Sequence, residues 1–144
     1  MSISIPTNQL EAALYAALNV AGITTLATNG VHNSLGRDAN GKPAEPPFVV
    51  FSVVDPGRHR YTFGDNRYAV DYMYLVKGIT EGVATALAGQ IDAAIDTALH
   101  GVNLNISGYG TMLCRRVTDV SYPEDDQGRT FRHRGGVYAV SING

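Results

Sequence analysis

Apolar residues recur along this chain at two spacings. In "TNQLEAALYAALNVAG", from Thr7 to Gly22, Leu10, Leu14, Leu18 and Ala21 repeat at helical spacing, with Ala13 and Ala17 beside them. The pattern predicts an amphipathic, Ala-rich helix. Asn8 is its expected cap, Glu11 completes a capping box, and Gly22 is its stop. The same spacing returns in "TEGVATALAGQIDAAIDTALHG", where Val83, Leu87, Ile91, Ile95 and Leu99 come every four residues. Here Thr80 is the expected cap, Glu81 suits the positive helix end, and His100 and Gly101 close the helix.

Elsewhere the period is two, or the run is continuous. "ITTLA", from Ile23, is brief and β-branched and predicts a short strand. "FVVFSVVD", from Phe48, predicts a central strand buried on both faces and broken by "PGRH". "RYTFGDNRYAVDYMYLVKG" predicts two strands around a "GDN" turn. In the second of them Tyr68, Val70, Tyr72, Tyr74 and Val76 share one face, while Ala69, Asp71, Met73, Leu75 and Lys77 take the other.

Residues 102–122 and "RTFRHRGGVYAVSI" (Arg129–Ile142) are two further strand regions, joined through a hairpin tip at 123–128. In the last strand Val137, Ala139 and Ser141 point one way and Tyr138, Val140 and Ile142 the other. Gly135-Gly136 predicts a bulge that breaks and re-aims the strand. Arg132 and Arg134 then share one side and His133 takes the opposite one. Residues 28–47 are dense in Asn, Gly, Asp and Pro and predict a long loop. The order of helix, strands, helix, strands predicts one α+β domain over 1–144: a largely antiparallel or mixed sheet with two helices packed on one face.

Composition narrows the partners. The chain has 144 residues, 17% charged and 44% hydrophobic, with 16 glycines. So few charges point to a domain that covers part of its surface with copies of itself. The net charge of −2 argues against a chain living mainly on nucleic-acid phosphates. Cys114, the single cysteine, makes no intrachain disulfide and fits a reducing compartment. The N-terminus lacks the basic start and long apolar run of a signal peptide, and no apolar run approaches the ~20 residues that span a bilayer. The expectation is a soluble, intracellular protein without a membrane partner.

Candidate chemistry is sparse. Gly36 to Lys42, "GRDANGK", matches a phosphate-loop spacing, but Pro43 and "AEPP" follow where a helix and a magnesium-holding hydroxyl are needed. His32, His59, His100 and His133 stand at no metal-ligand step from one another, and one cysteine adds no zinc site. Asp125, Asp126 and His133 could meet across the last hairpin, yet a catalytic pair needs a nucleophile and a pocket as well. Cys114 precedes two arginines that would activate it if exposed; burial in a strand is the alternative. No catalytic residue, metal or cofactor is expected. Tyrosines interleaved with arginines suit a protein interface, or else a stacking surface for single-stranded nucleic acid.

The succession of pieces resembles the tail-terminator, or tail-completion, proteins of long-tailed bacteriophages and related prophage minor tail proteins. It runs from "LEAALYAAL" through a variable loop, "PPFVVFSVV" and "YAVDYMYLVKG" to "ATALAGQIDAAIDTAL". It ends with an arginine-containing strand before "EDDQGRTFRHRGGVYAVSI". The resemblance implies assembly rather than catalysis: a ring, typically a hexamer, at the head-proximal end of the virion tail. Such a ring caps the tube, ends its polymerisation and presents a surface to the head-side connector, with DNA only in transit through the lumen. The implied partners are other copies, the tail tube protein and the connector. The interface candidates are Glu124, Asp125, Asp126, Arg115, Arg116, Arg129, Arg132, Arg134, Tyr72 and Tyr74, with the acidic tip facing cations of an adjacent copy. The alternatives are a neck or head-closure protein, a basic-stripe nucleic-acid module, and a small enzyme.

Overall fold

A computed structural model describes residues 2–111 and 113–144. Met1, in the N-terminal stretch, and Met112, within the predicted strand region 102–122, lie outside the described residues. Among those residues the chain forms helices α1 (Thr7–Leu18), α2 (Ala21–Thr24) and α3 (Ala86–Leu99). The strands are β1 (Val31–Asn33), β2 (Phe48–Tyr61), β3 (Arg67–Glu81), β4 (Gly110–Thr111), β5 (Arg115–Asp126) and β6 (Arg129–Asn143). They make one sheet in the order β1-β2-β3-β6, with β4 and β5 along the outer side of β6. β1 pairs parallel to β2 and every other pairing is antiparallel, so the sheet is mixed. The α+β expectation holds, with one short helix more than predicted.

The alternation along β3 and β6 decides which face is covered. Val70, Tyr72, Tyr74 and Val76 are buried together with Tyr138, Val140 and Ile142, beneath Leu10, Leu14 and Leu18 of α1 and Ile91, Ile95 and Leu99 of α3. Gly78 continues this face of β3 and leaves the space that the Ile91 side chain occupies, so α3 can lie close against the sheet. The opposite residues, from Asp71 to Lys77 and from Val137 to Ser141, remain partly exposed. Helices therefore cover one face only.

Several predicted boundaries are corrected. α1 starts at Thr7 with no side-chain cap, so Asn8 does not cap it. It ends at Leu18 rather than Gly22, and Glu11 is engaged by Tyr74 and Asn33 instead of a capping box. "ITTLA" is not a strand. The N–H groups of Ile23 and Thr24 donate to the Val20 carbonyl, and the resulting turn buries Ile23 and Ala27. Burial of these two apolar residues overrides β-branched propensity.

Thr80 does not cap α3: strand pairing continues through Thr80↔Arg132 and Glu81↔Phe131, and the helix begins after Thr85. Val83 consequently lies outside the helix and is exposed. "PGRH" does not end β2. The strand shifts register around Asp55, Pro56 and Gly57 and resumes at Arg58↔Asp71. β1 extends only to Asn33, so this outer edge is unpaired and tolerates a proline that has no N–H. Within the predicted 28–47 loop, Val31–Asn33 forms β1.

Gly135-Gly136 is neither a break nor a bulge. The β3–β6 register runs through it unshifted, with Lys77↔Gly135 and Val76↔Gly136. The irregularity lies on β5, between Arg116 and Thr118. The two glycines serve close approach: β-carbons there would strike the β3 backbone at Gly135 and the Arg116 side chain at Gly136.

Candidate functional site

The basic stretch of β6 is divided by the pleat. Arg132 and Arg134 lie in register with Thr80 and Gly78 on the helix side, and His133 faces the other way, as the alternation predicts. Each cation then meets a partner within the chain. Arg134 Nε stands 3.4 Å from Asp92, and Arg132 donates to the Val83 carbonyl at 3.4 Å. Arg129 donates to Glu81 at 2.6 Å and to Glu45 at 2.7 Å, which fastens the 28–47 segment to the tip end of the last hairpin.

Arg116 is the most embedded of the candidates. It donates to Asp92 at 2.7 Å, to the Gly135 carbonyl at 2.7 Å, to Asp119 at 2.7 Å and to the Tyr138 hydroxyl at 3.2 Å. Tyr138 in turn donates to Asp96 at 3.0 Å. Burial by itself would lower the Arg116 pKa, but its bonds to Asp92 and Tyr138 outweigh that and hold it above the ordinary range. This network ties β5 to α3 and is an internal lock. Its acidic members were not singled out in the sequence. The available signal was Asp92 and Asp96 at i,i+4, set directly after the apolar positions Ile91 and Ile95.

The acidic tip is divided as well. Glu124 accepts from His133 at 2.9 Å, and His133 stacks on Tyr122 with ring centroids 4.4 Å apart. Burial lowers the His133 pKa, opposed by the bond to Glu124. Asp125 accepts from Thr130 at 2.7 Å. Asp126 and Arg115 form no ion pair among the described residues and are exposed.

Tyr72 and Tyr74 leave the set of interface candidates. They are 1% and 0% exposed and belong to the chain's own core, where their side chains are out of reach of a partner. Tyr74 donates to Glu11 at 2.7 Å and Tyr72 bonds Thr7 at 3.0 Å. Sequence alternation separates two faces of β3 but does not say which one the helices cover.

Other chemistry is placed plainly. Cys114 is buried, and desolvation pushes its thiol up to about 12, the reverse of activation. The Gly36–Lys42 loop folds around its own Asp38, whose carboxylate accepts from the N–H groups of Asn40 and Lys42 at 2.8 and 3.0 Å. An anion already occupies the turn that a phosphate would need. Among the described residues no group of three or more His, Cys, Asp or Glu is placed to hold a metal ion, and no helix is long and apolar enough to cross a membrane.

Two open features remain. On the helix-free face a groove of about 720 Å³ runs over Met73, Ala139 and Ser141, with Arg58, Arg60 and Arg115 at its rim. Beyond the last β2–β3 pair, Tyr61↔Arg67, the turn projects Phe63 fully into solvent.

Together these features define a one-sided α+β domain, with internal locks on its helix side and an uncovered sheet face bearing projecting hairpins. The fold is similar to that of a chain in the virion of a native gene transfer agent (GTA) particle, with a TM-score of 0.73 and 18% identity over 99% of this chain and 100% of that one. A second solved structure aligns with a TM-score of 0.65 and 13% identity over 98% of each chain. No protein-family model and no curated protein matches the chain.

Proposed function

We propose that this protein is a non-enzymatic structural component of a phage-like virion, and that its copies close into a ring, a hexamer, that caps the tail tube. In this role it ends tube polymerisation and offers the head-side connector a surface to bind. The observation that carries the reading is the end-to-end fold likeness to a chain of a gene transfer agent virion. An open sheet face and projecting hairpins on a chain of low charge suit a head-to-tail contact that closes by rotation.

The nucleic-acid reading is weakened by ion pairs at three of the five candidate arginines, while Arg115 and Arg132 form no ion pair among the described residues. Arg116, Arg129 and Arg134 spend their charge on Asp92, Glu81 and Glu45 within the subunit. Of the groups weighed for the enzyme reading, Cys114 is buried, and His133 meets Glu124 instead of Asp125 or Asp126.

Light scattering and negative-stain imaging test the proposal, on the protein alone and with assembling tail tubes. The expected result is a ring of six copies, together with shorter, capped tubes. A monomer in both conditions, with tube lengths unchanged, would sink it. A ring that binds only the head-side connector would assign the protein to the neck instead. Within the ring, Asp125 and Asp126 face cations of the adjacent copy. Reversing both charges to lysine then lowers the ring mass, and an unchanged mass removes these residues from the interface.

A further inference from the structure

We infer that the β2–β3 hairpin tip of one copy docks, through Phe63, into the groove on the helix-free sheet face of the next copy; this rests on the ring reading above. The tip is built to project. Its turn is closed by the Asp65 N–H donating to the Thr62 carbonyl at 3.0 Å, and Phe63 is 112% exposed. Among the described residues nothing covers the ring, and Tyr61↔Arg67 is the last strand pair before the turn. A single apolar anchor on a rigid hairpin is the kind of residue that dominates binding once it is desolvated in a partner's pocket.

The groove offers matching chemistry. Its floor is Met73 and Ala139, and Leu113, 59% exposed, forms an apolar lip. Around the rim the Asp55–Arg58 pair, at 2.8 Å, and the Arg60–Asp71 pair, at 3.0 Å, cancel one another's charge. Arg115 is left as the uncompensated cation, forming no ion pair among the described residues. Two residues beyond Phe63, Asp65 is an exposed acid that likewise forms no ion pair among them. An apolar ring flanked by an acid therefore meets an apolar groove flanked by a base. Tip and groove are different patches of one chain, so a one-way contact propagates from copy to copy, whereas a reciprocal exchange would stop at a dimer.

The test mixes two full-length single variants, Gly64→Cys, which keeps the Phe63 anchor, and Ala139→Cys, under mild oxidation and maps the disulfide-linked peptides by mass spectrometry. Leu113→Cys is a second probe at the lip, and Gln90→Cys on the exposed side of α3 is the control. The expected result is roughly tenfold more linkage of position 64 to 139 or 113 than to 90, because a docked tip raises the local concentration. Equal linkage to all three overturns the docking. So does linkage of position 64 to added tail tube protein with only background self-linkage. The wild-type mass, measured alongside, separates this inference from the ring. A closed ring without enriched linkage removes the docking and leaves the ring. Enriched linkage in an open or dimeric assembly keeps the docking and removes the ring.

Discussion

The guanidinium of Arg116 lies over the bare backbone of Gly136, where an added β-carbon would stand 2.6 Å from its Nε. That vacant space lets an edge-strand arginine turn inward and meet Asp92 of α3 at 2.7 Å. Gly136→Ala displaces the arginine and leaves Asp92 without its strongest partner in a mostly buried site. A loss of about 3 kcal/mol in unfolding free energy is expected. Urea titration measures it, and a change smaller than about 0.5 kcal/mol, within the range of neutral surface substitutions, would refute the lock.

Two core tyrosines differ in the partner each hydroxyl holds. Tyr74 donates to the Glu11 carboxylate and Tyr72 bonds the Thr7 hydroxyl. Bonds to charged groups are stronger, so Tyr74→Phe costs about 2 kcal/mol and Tyr72→Phe about 1 kcal/mol. The order of the two midpoints in chemical denaturation is the test, and equal or reversed costs contradict it.

Cys114 predicts an alkaline limit. Burial raises its thiol pKa from about 9 in the unfolded chain to about 12 in the fold. Above pH 9 the unfolded chain releases a proton that the folded one retains. Stability therefore falls from pH 9 upward, until the folded thiol also ionises near pH 12. Burial raises Tyr72, Tyr74 and Tyr138 in the same direction. Cys114→Ala removes the cysteine's share, and its unfolding free energy declines less steeply over that window than the wild type's. Identical slopes would place the thiol in solvent.

Arg129 joins Glu81 and Glu45 on the surface, so its role is local. Arg129→Met frees the segment around Glu45 without a marked change in global stability, because exposed pairs contribute little. Limited proteolysis is expected to cut between residues 36 and 46 several times faster, with an unchanged thermal midpoint. Cleavage at the wild-type rate would show that the segment is held by other contacts.

Much of the fold follows from local periodicity. The two-residue repeat from Val70 to Val76 and from Tyr138 to Ile142 places each side chain on its observed face, because the pleat turns successive side chains to opposite sides. The four-residue spacing of Leu10, Leu14 and Leu18, and of Ile91, Ile95 and Leu99, marks the buried stripes of both long helices. Errors gather where a distant strand competes with a local signal. Thr80 and Glu81 have the chemistry of a helix start, but Arg132 and Phe131 of β6 hold them in the sheet. Ile23 and Thr24 favour a strand by propensity, yet the core takes Ile23 on a helical turn.

The candidate site was less legible than the fold, for the same reason. A stretch such as "RTFRHRGG" shows that cations are present and that the pleat splits them. Whether each is free depends on acids far along the chain: Asp92 for Arg116 and Arg134, Glu45 and Glu81 for Arg129. The sequence by itself determined the elements, their apolar stripes and the two sides of each strand, since these are set by backbone geometry over a few residues. Only the tertiary structure decided which side the helices cover. It therefore also decided that Tyr72 and Tyr74 are core and that Phe63 and Arg115 are left outside. That choice is made by the order of strands in the sheet and the packing of two distant helices, which no local pattern encodes.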